Sequence, residues 1–160
     1  MSFASFSGPL RAGTVLNNPG RNAGLVVLSQ SYDSGDLTGT TTGNYDVAAM
    51  VLPAGSQIID IVVDQVVAAT VGTTTISVGN ASGGAQLMAA VATTAGGRFR
   101  GTATAATQLA WQTSASADTT IYVRDVVGTG TLGAGRFIVT VTYAQKQVVN
   151  GVAVANPVSA

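Results

Sequence analysis

The side chains that most often do chemistry in proteins are nearly absent from this chain. It has no His, Glu or Cys, and all seven of its acids are aspartates. A serine nucleophile would therefore lack its usual imidazole base, and a transition metal would lack its commonest ligand. The glycine-rich run at 128–135 lies between two strand-like segments and not before a helix, which excludes a dinucleotide loop and predicts a flexible hairpin loop. We expect a protein that is not an enzyme and needs no cofactor.

One pair of aspartates has the residue types of a calcium site. Asp33 and Asp36 flank Ser34-Gly35, and Asn44 and Asp46 follow. Carboxylate and amide oxygens are the ligands that Ca²⁺ prefers, but the spacing does not match an EF-hand loop. We therefore prefer an ordinary turn closed by aspartate side chains, and calcium binding is the alternative.

A second pair, Asp60 and Asp64, lies on one face of a predicted strand. Two pleats separate these carboxylates by about 13 Å, which is too far for a shared proton. We expect them to form salt bridges or to take part in an interface. Arg98 and Arg100 flank Phe99 and direct two guanidinium groups to one side. They belong either to a solvated strand edge or to an anchor for carboxylates of a neighbouring subunit.

The composition points to a protein that is docked against other protein. Only 9% of the residues are charged and the formal net charge is zero, whereas an ordinary domain has about 25% charged residues. Such a surface keeps a free monomer in solution poorly. Nothing is basic enough to suggest nucleic acid as a partner. The opening residues contain neither a charged region followed by an apolar run nor a membrane span, so we expect no signal peptide and no membrane association.

The first 22 residues predict an extended arm. Prolines and glycines interrupt every regular period there, at Pro9, Gly13, Pro19 and Gly20. A disordered tail is normally poorer in large apolar residues than this segment is. We expect the arm to order against a neighbouring subunit, and a frayed terminus is the alternative. Together with Arg98 and Arg100, the interface candidates are Phe3, Phe6, Leu10, Arg11, Val15 and Leu16.

The remainder alternates strand-like runs with glycine-rich turns. This predicts eight or nine short strands in one all-β domain over residues 23–144, an antiparallel β-sandwich of the jelly-roll kind, followed by a tail at 145–160. The predicted strands lie at 24–32, 45–52, 58–67, 73–78, 98–101, 108–113, 121–127 and 136–143, while 85–92 is either a strand or a short helical turn.

Two strands are expected to supply most of the core. The segment after Pro53-Ala54-Gly55-Ser56 is dense in Ile and Val, which favour a pleated strand over a helix. Alternation predicts one set of inward-facing residues on this strand and one on the last strand. They are Ile59, Ile61 and Val63, and Phe137, Val139, Val141 and Tyr143. Trp111, the only tryptophan, is expected to close one end of the core.

Several segments together resemble a family of small structural proteins of tailed bacteriophages, often encoded beside the major capsid protein. They are SGPLRAGT at 7–14, NAGLVVLSQ at 22–30, LPAGSQIIDI at 52–61, TTISVGN at 74–80 and GAGRFIVTVTY at 133–143. The resemblance covers most of the chain. It implies a β-sandwich without catalytic residues.

The resemblance also implies a role on the outer surface of a capsid. Such a protein decorates or cements the shell by bridging neighbouring subunits of the major capsid protein, commonly as a homotrimer, and is made in the host cytoplasm. A receptor- or glycan-binding module of a phage head or tail fibre is the alternative. Exposed aromatic residues clustered at one end would favour that alternative, but the four tyrosines and Trp111 are scattered along the chain.

Overall fold

A computed structural model of the protein describes residues 25–70, 74–101, 110–111 and 117–146. Eight strands account for most of them: β1 (Leu25–Asp33), β2 (Thr41–Leu52), β3 (Ser56–Thr70), β4 (Thr74–Gly79), β5 (Met88–Ala92), β6 (Gly97–Arg100), β7 (Thr119–Thr131) and β8 (Ala134–Lys146). The predicted arm at 1–22 and nearly all of the tail lie outside the described residues, as does most of the predicted strand at 108–113.

The strands form two four-stranded sheets, ordered β1-β8-β3-β6 and β2-β7-β4-β5. Every pairing is antiparallel. The first strand pairs with the last, the second with the seventh, the third with the sixth and the fourth with the fifth. The two halves of the chain therefore run alongside each other in opposite directions, as in one long hairpin rolled into two sheets. The predicted all-β antiparallel sandwich is confirmed.

The turn before β3 forms as the sequence predicts. Gly55 has a φ of 77°, a left-handed conformation that residues with a Cβ rarely adopt. The Ser56 amide donates to the Pro53 carbonyl oxygen at 3.1 Å and closes the turn. The turn therefore moves the chain from the end of β2 in one sheet to the start of β3 in the other.

The core lies between the two sheets and receives side chains from both. One contiguous buried cluster joins residues of β2, β4 and β7 to residues of β3 and β8. On β8 the alternation is as predicted, since Phe137, Val139, Val141 and Tyr143 are all buried. On β4 the inward face carries Thr74, Ile76 and Val78. The segment at 85–92 forms a strand from Met88 onward, which settles the alternative left open by the sequence.

The predicted inward face of β3 is wrong at one position. Ile61 and Val63 are fully buried, but Ile59 is 49% exposed and Ile58 takes its place in the core. Ile58 pairs with Tyr143 and Asp60 with the preceding residue, Thr142, so Ile59 has no partner on β8. This is a β-bulge, and a bulge adds one residue that shifts the alternation of side chains by one. Simple alternation along the sequence cannot reveal it.

The long flexible loop predicted at 128–135 is also wrong. β7 continues to Thr131 and β8 begins at Ala134, so only two residues connect them. The Leu132 amide donates to the Thr40 carbonyl at 2.9 Å, and Gly133 donates to Thr70 at 3.2 Å. The carbonyl groups of Thr40, just before β2, and of Thr70 on β3 thus hold this connection in place.

The bulge predicts different costs for two neighbouring isoleucines. Ile61→Ala should lower the free energy of unfolding by about 2–5 kcal/mol, because it leaves a cavity in the core. Ile59→Ala should cost less than about 1 kcal/mol, because its side chain is already in solvent. Denaturant unfolding of both variants measures this. Equal losses would contradict the bulge.

Candidate interaction site

Asp33 and Asp36 form turn and strand contacts of their own. The Gly35 amide donates to Asp33 and the Thr38 amide to Asp36, both at 2.9 Å. Asp33 also accepts two bonds from the Arg136 guanidinium, the shorter at 2.6 Å. Hydrogen bonds from Arg136 and Gly35 lower the pKa of Asp33 to about 2. These contacts are those of the preferred turn, and the described residues contain no cluster of three or more acids that could hold a metal ion.

The second aspartate pair and the arginine pair form salt bridges with each other. Arg98 on β6 lies opposite Asp64 on β3 and donates to it at 2.6 and 3.0 Å. Arg100 lies 3.5 Å from Asp60. The predicted salt bridges of the aspartates therefore form within the chain. β6 is an edge strand and both arginine side chains are more than 60% exposed, so a role for them at a subunit interface stays a prediction.

Trp111 is directed at the domain itself. Its indole N–H donates to the Leu87 carbonyl oxygen at 2.8 Å, and its ring packs against the core cluster. This agrees with the expected position at an end of the core. The indole N–H is therefore engaged within the domain, while part of the ring lines a pocket of about 280 Å³ at this end of the sandwich.

The exposed large apolar side chains are concentrated on three of the strands. Within the described part of the chain, every one of them lies on β1, β2 or β3: Val27, Leu28, Tyr45, Val47, Val51, Ile59, Val66 and Val67. Five of the eight lie on β1 and β2, which are edge strands of the two facing sheets. Large exposed apolar groups on neighbouring elements commonly mark a surface that binds another molecule.

The inward faces of β1 and β2 are partly open to solvent. Tyr45 lies opposite Asp125 on β7 and Val47 opposite Val123, and both of these β7 residues point into the sandwich. Tyr45 and Val47 therefore point inward as well, yet they are 37% and 38% exposed. The two sheets do not close over these side chains. We call this opening between β1 and β2 the edge groove.

One side chain links the two edge strands beside the edge groove. The Gln30 side-chain amide on β1 donates to the Val51 carbonyl of β2 at 2.9 Å and to the Tyr143 hydroxyl at 3.1 Å. Beyond it, toward the end of β1, the Tyr32 ring lies 6.3 Å from the Phe137 ring. The groove has a volume of about 190 Å³ and is lined by Tyr32, Ser34, Leu37, Thr40, Tyr45, Val47, Val123, Asp125 and Phe137.

Asp125 is the one carboxylate among the residues that line this groove. It is 5% exposed, and neither carboxylate oxygen has a hydrogen-bond partner among the described residues. Burial raises the pKa of Asp125 to about 6. The pKa of Tyr32 is raised as well, by burial and by the nearby carboxylates of Asp125 and Asp33. A buried, unpartnered carboxylate destabilises a fold, so it needs a cation, a donor or a proton.

Asp125 was not among the site residues predicted from the sequence, although the strand around it carries a signal. In Ile121–Val127 the residues at odd positions alternate inward as Ile121, Val123, Asp125 and Val127. A charged residue within an apolar inward face is the pattern of a functional or partnered group.

No helix in the described ranges is long and apolar enough to cross a membrane.

No protein-family profile and no curated protein matches this chain. Solved structures do. A chain from the capsid of Ralstonia phage GP4 is similar with a TM-score of 0.55 and 22% identity, over 87% of this chain and 93% of that one. A chain from the acidic stable capsid of Helicobacter pylori bacteriophage KHP30 matches with a TM-score of 0.51 and 12% identity, over 78% and 96%. At such identities the likeness shows the fold alone.

Asp125→Asn should change how stability depends on pH. The folded-state pKa of about 6 lies above the ordinary 3.8, so between these values the folded chain holds a proton that the unfolded chain has lost. Wild-type stability from this group therefore falls as pH rises from about 4 to about 6 and is constant above. Asn cannot ionise, so the free energy of unfolding of the variant should exceed that of the wild type by about 1–2 kcal/mol at pH 7.5 and by little at pH 4. Solvent access to the groove keeps this difference below the value for a fully buried carboxylate.

Thermal melts from pH 4 to pH 8 measure this difference. Asp46→Asn is the matched control: Asp46 is exposed on β2, and Asn keeps an oxygen to accept from the Gly83 amide. A difference between Asp125→Asn and wild type that does not change with pH would contradict the raised pKa.

Proposed function

We propose that this chain is a structural protein of a bacteriophage virion that decorates and cements the capsid by bridging neighbouring subunits of the major capsid protein. The observation that carries the proposal is the fold. Two chains from phage capsids are similar to it over more than 90% of their own lengths. The likeness therefore involves whole domains and not one shared hairpin.

The strand order supports the proposal further. Two sheets with orders 1-8-3-6 and 2-7-4-5 are what a jelly roll of eight strands would have, and the jelly roll recurs among viral capsid domains. We therefore infer that the sandwich is a jelly roll. A fold alone does not define a function, so the surface must support the role as well.

The surface is suited to lasting contact with protein. The formal net charge is zero. Three of the ion pairs that do form, Asp64 with Arg98, Asp60 with Arg100 and Asp33 with Arg136, lie on one sheet and neutralise it locally. Exposed apolar side chains on β1, β2 and β3 remain available for burial. Burial of apolar area is the main favourable term in stable protein association, and many symmetric copies on a shell add avidity.

The finer parts of the role are proposals of the same kind. We propose that the protein is not an enzyme, that it acts as a symmetric oligomer, commonly a trimer in such proteins, and that it lies on the outer surface of the shell. The arm at 1–22 would add contacts to a neighbour through Phe3, Phe6 and Leu10.

A glycan-binding module is the second candidate, because the fold brings Tyr32 and Tyr45 together with Asp125 in the edge groove. Aromatic rings beside a carboxylate suit a sugar. The volume argues against it: the groove, at about 190 Å³, is smaller than the roughly 300–1,000 Å³ of ordinary small-molecule pockets.

Co-sedimentation with shells assembled from the major capsid protein of the same phage tests the proposal. The full chain should pellet with the shells, saturate at a fixed ratio to the capsid subunit and stay in the supernatant without them. A glycan array probed with the same protein is the parallel measurement. Failure to bind shells, together with selective binding of sugars, would replace the proposed role by the alternative.

Deleting residues 1–22 should weaken shell binding without unfolding the domain. β1 begins at Leu25, so every described strand survives the deletion. Burial of an apolar side chain contributes about 1.5–3 kcal/mol before ordering costs, and the arm carries several. Co-sedimentation and a thermal melt measure the two effects separately. An unchanged shell affinity would remove the arm from the mechanism, and a collapsed melt would show that it packs on its own domain.

A further inference from the structure

We propose that the edge groove between β1 and β2 receives the N-terminal arm of a second copy of this chain, with the Arg11 guanidinium on the Asp125 carboxylate. This inference rests on the proposed function in that it describes how copies of a shell protein are linked. The groove supplies an apolar wall and one buried acid. The arm supplies apolar side chains and a cation.

The distribution of charges along the chain identifies the arm as the segment that can supply a cation to Asp125. All seven aspartates lie within the described residues, and each except Asp125 has a hydrogen-bond or ion-pair partner there. The arginines of the described residues are also engaged: three in ion pairs, and Arg124 with the Gly83 carbonyl at 2.6 Å. The remaining arginines are Arg11 and Arg21, in a segment that has no acid at all. The carboxylate that has no partner among the described residues and two arginines from a segment whose sequence contains no acid thus belong to two different parts of one chain.

The neighbours of the two arginines favour Arg11. Pro9 and Leu10 precede it, and Val15 and Leu16 follow closely, whereas Arg21 lies among Asn18, Gly20 and Asn22. An apolar segment with one guanidinium fits a groove whose wall is made of Tyr45, Val47 and Phe137. A buried pair of a guanidinium and a carboxylate is stable when both charges leave water together and find their hydrogen bonds.

The direction of the chain favours a second copy over the arm's own domain. β1 starts at Leu25, paired with Lys146, whereas the groove lies near Tyr32, paired with Val139. Seven residues of strand place these points about 23 Å apart. An arm reaching its own groove would have to reverse and run back along β1. Arg11 lies 14 residues before Leu25, and 14 extended residues span up to about 48 Å, which is enough to reach a neighbour.

The absence of cysteine makes a direct test possible. A single Leu10→Cys substitution carries a nitroxide spin label at a unique site. The spin-labelled protein, at natural isotope abundance, is mixed with ¹⁵N-labelled wild-type protein, which has no cysteine and carries no spin label. The mixing is done at concentrations where the chain self-associates. The proposal expects selective broadening of the amide signals of Tyr32, Val47 and Asp125. Gln57, which pairs with Ala144 near the opposite end of the sheet from Tyr32, is the internal control and should stay sharp.

Isotope mixing also identifies the copy that supplies the arm. Broadening in the mixed sample can come only from a second chain. Placing the label and ¹⁵N in the same chain, diluted below self-association, tests the arm's own groove. Broadening of the groove only in that diluted sample, or no broadening of the groove in either sample, would overturn the proposal.

A double-mutant cycle tests the ion pair. Arg11→Gln and Asp125→Asn should each weaken self-association in sedimentation equilibrium by about tenfold or more, because each leaves one charge or donor buried alone. The double variant should be no weaker than the worse single variant. Arg21→Gln is the matched control and should change little. Additive losses in the double variant would show that these two residues do not interact.

Shell co-sedimentation of the same variants separates this inference from the proposed function. Shells that bind all variants equally, with no broadening of the groove, would remove the arm–groove contact and leave the shell role standing. Binding of the arm in the groove without any binding to shells would do the reverse.

Discussion

The fold depends on the burial of two inward strand faces that meet between the sheets. Val139 and Val141 on β8 and Ile121 and Val123 on β7 are almost fully buried. Each of these two strands lies inside its sheet with a partner on either side. The C-terminal part of the chain thus supplies a large share of the core, and the interior strands β3 and β4 complete it with Ile61, Val63, Ile76 and Val78. Little of this pairing is local, which predicts slow folding relative to helical proteins of the same size.

The same arrangement leaves the edge groove open. β1 and β2 are edge strands of different sheets, and the side chain of Gln30 on β1 bridges the gap between them by donating to the Val51 carbonyl of β2. Exposed edge strands invite pairing with another chain, and proteins usually protect them or use them. Here the inward-facing Tyr45 and Val47 stay in contact with solvent, and no described residue donates a hydrogen bond to the Asp125 carboxylate. A fold that leaves a carboxylate in this state is more stable when another molecule completes it.

Sequence patterns were sufficient to predict which side chains of a strand point into the core where the alternation along that strand was uninterrupted. The alternation in Arg136 to Tyr143 predicted the correct inward face. The pattern failed at Ile59, because a bulge depends on the partner strand and leaves no mark in the residues that contain it. It failed again at 128–135, where glycines indicated a flexible loop and the structure has a two-residue connection held by Thr40 and Thr70.

The candidate site was less predictable than the fold. The sequence identified the aspartate pair and the arginine pair as candidates for salt bridges. That Asp64 bonds to Arg98, and Asp60 to Arg100, follows only from the pairing of β3 with β6. Asp125 becomes notable only when Val123 and Val127 on either side are known to be buried.

The most direct measurement is a cryo-EM reconstruction of the intact virion. The account predicts this domain on the shell with density from another chain over Tyr45 and Val47; a virion without the protein, or with that opening facing solvent in every copy, would contradict it.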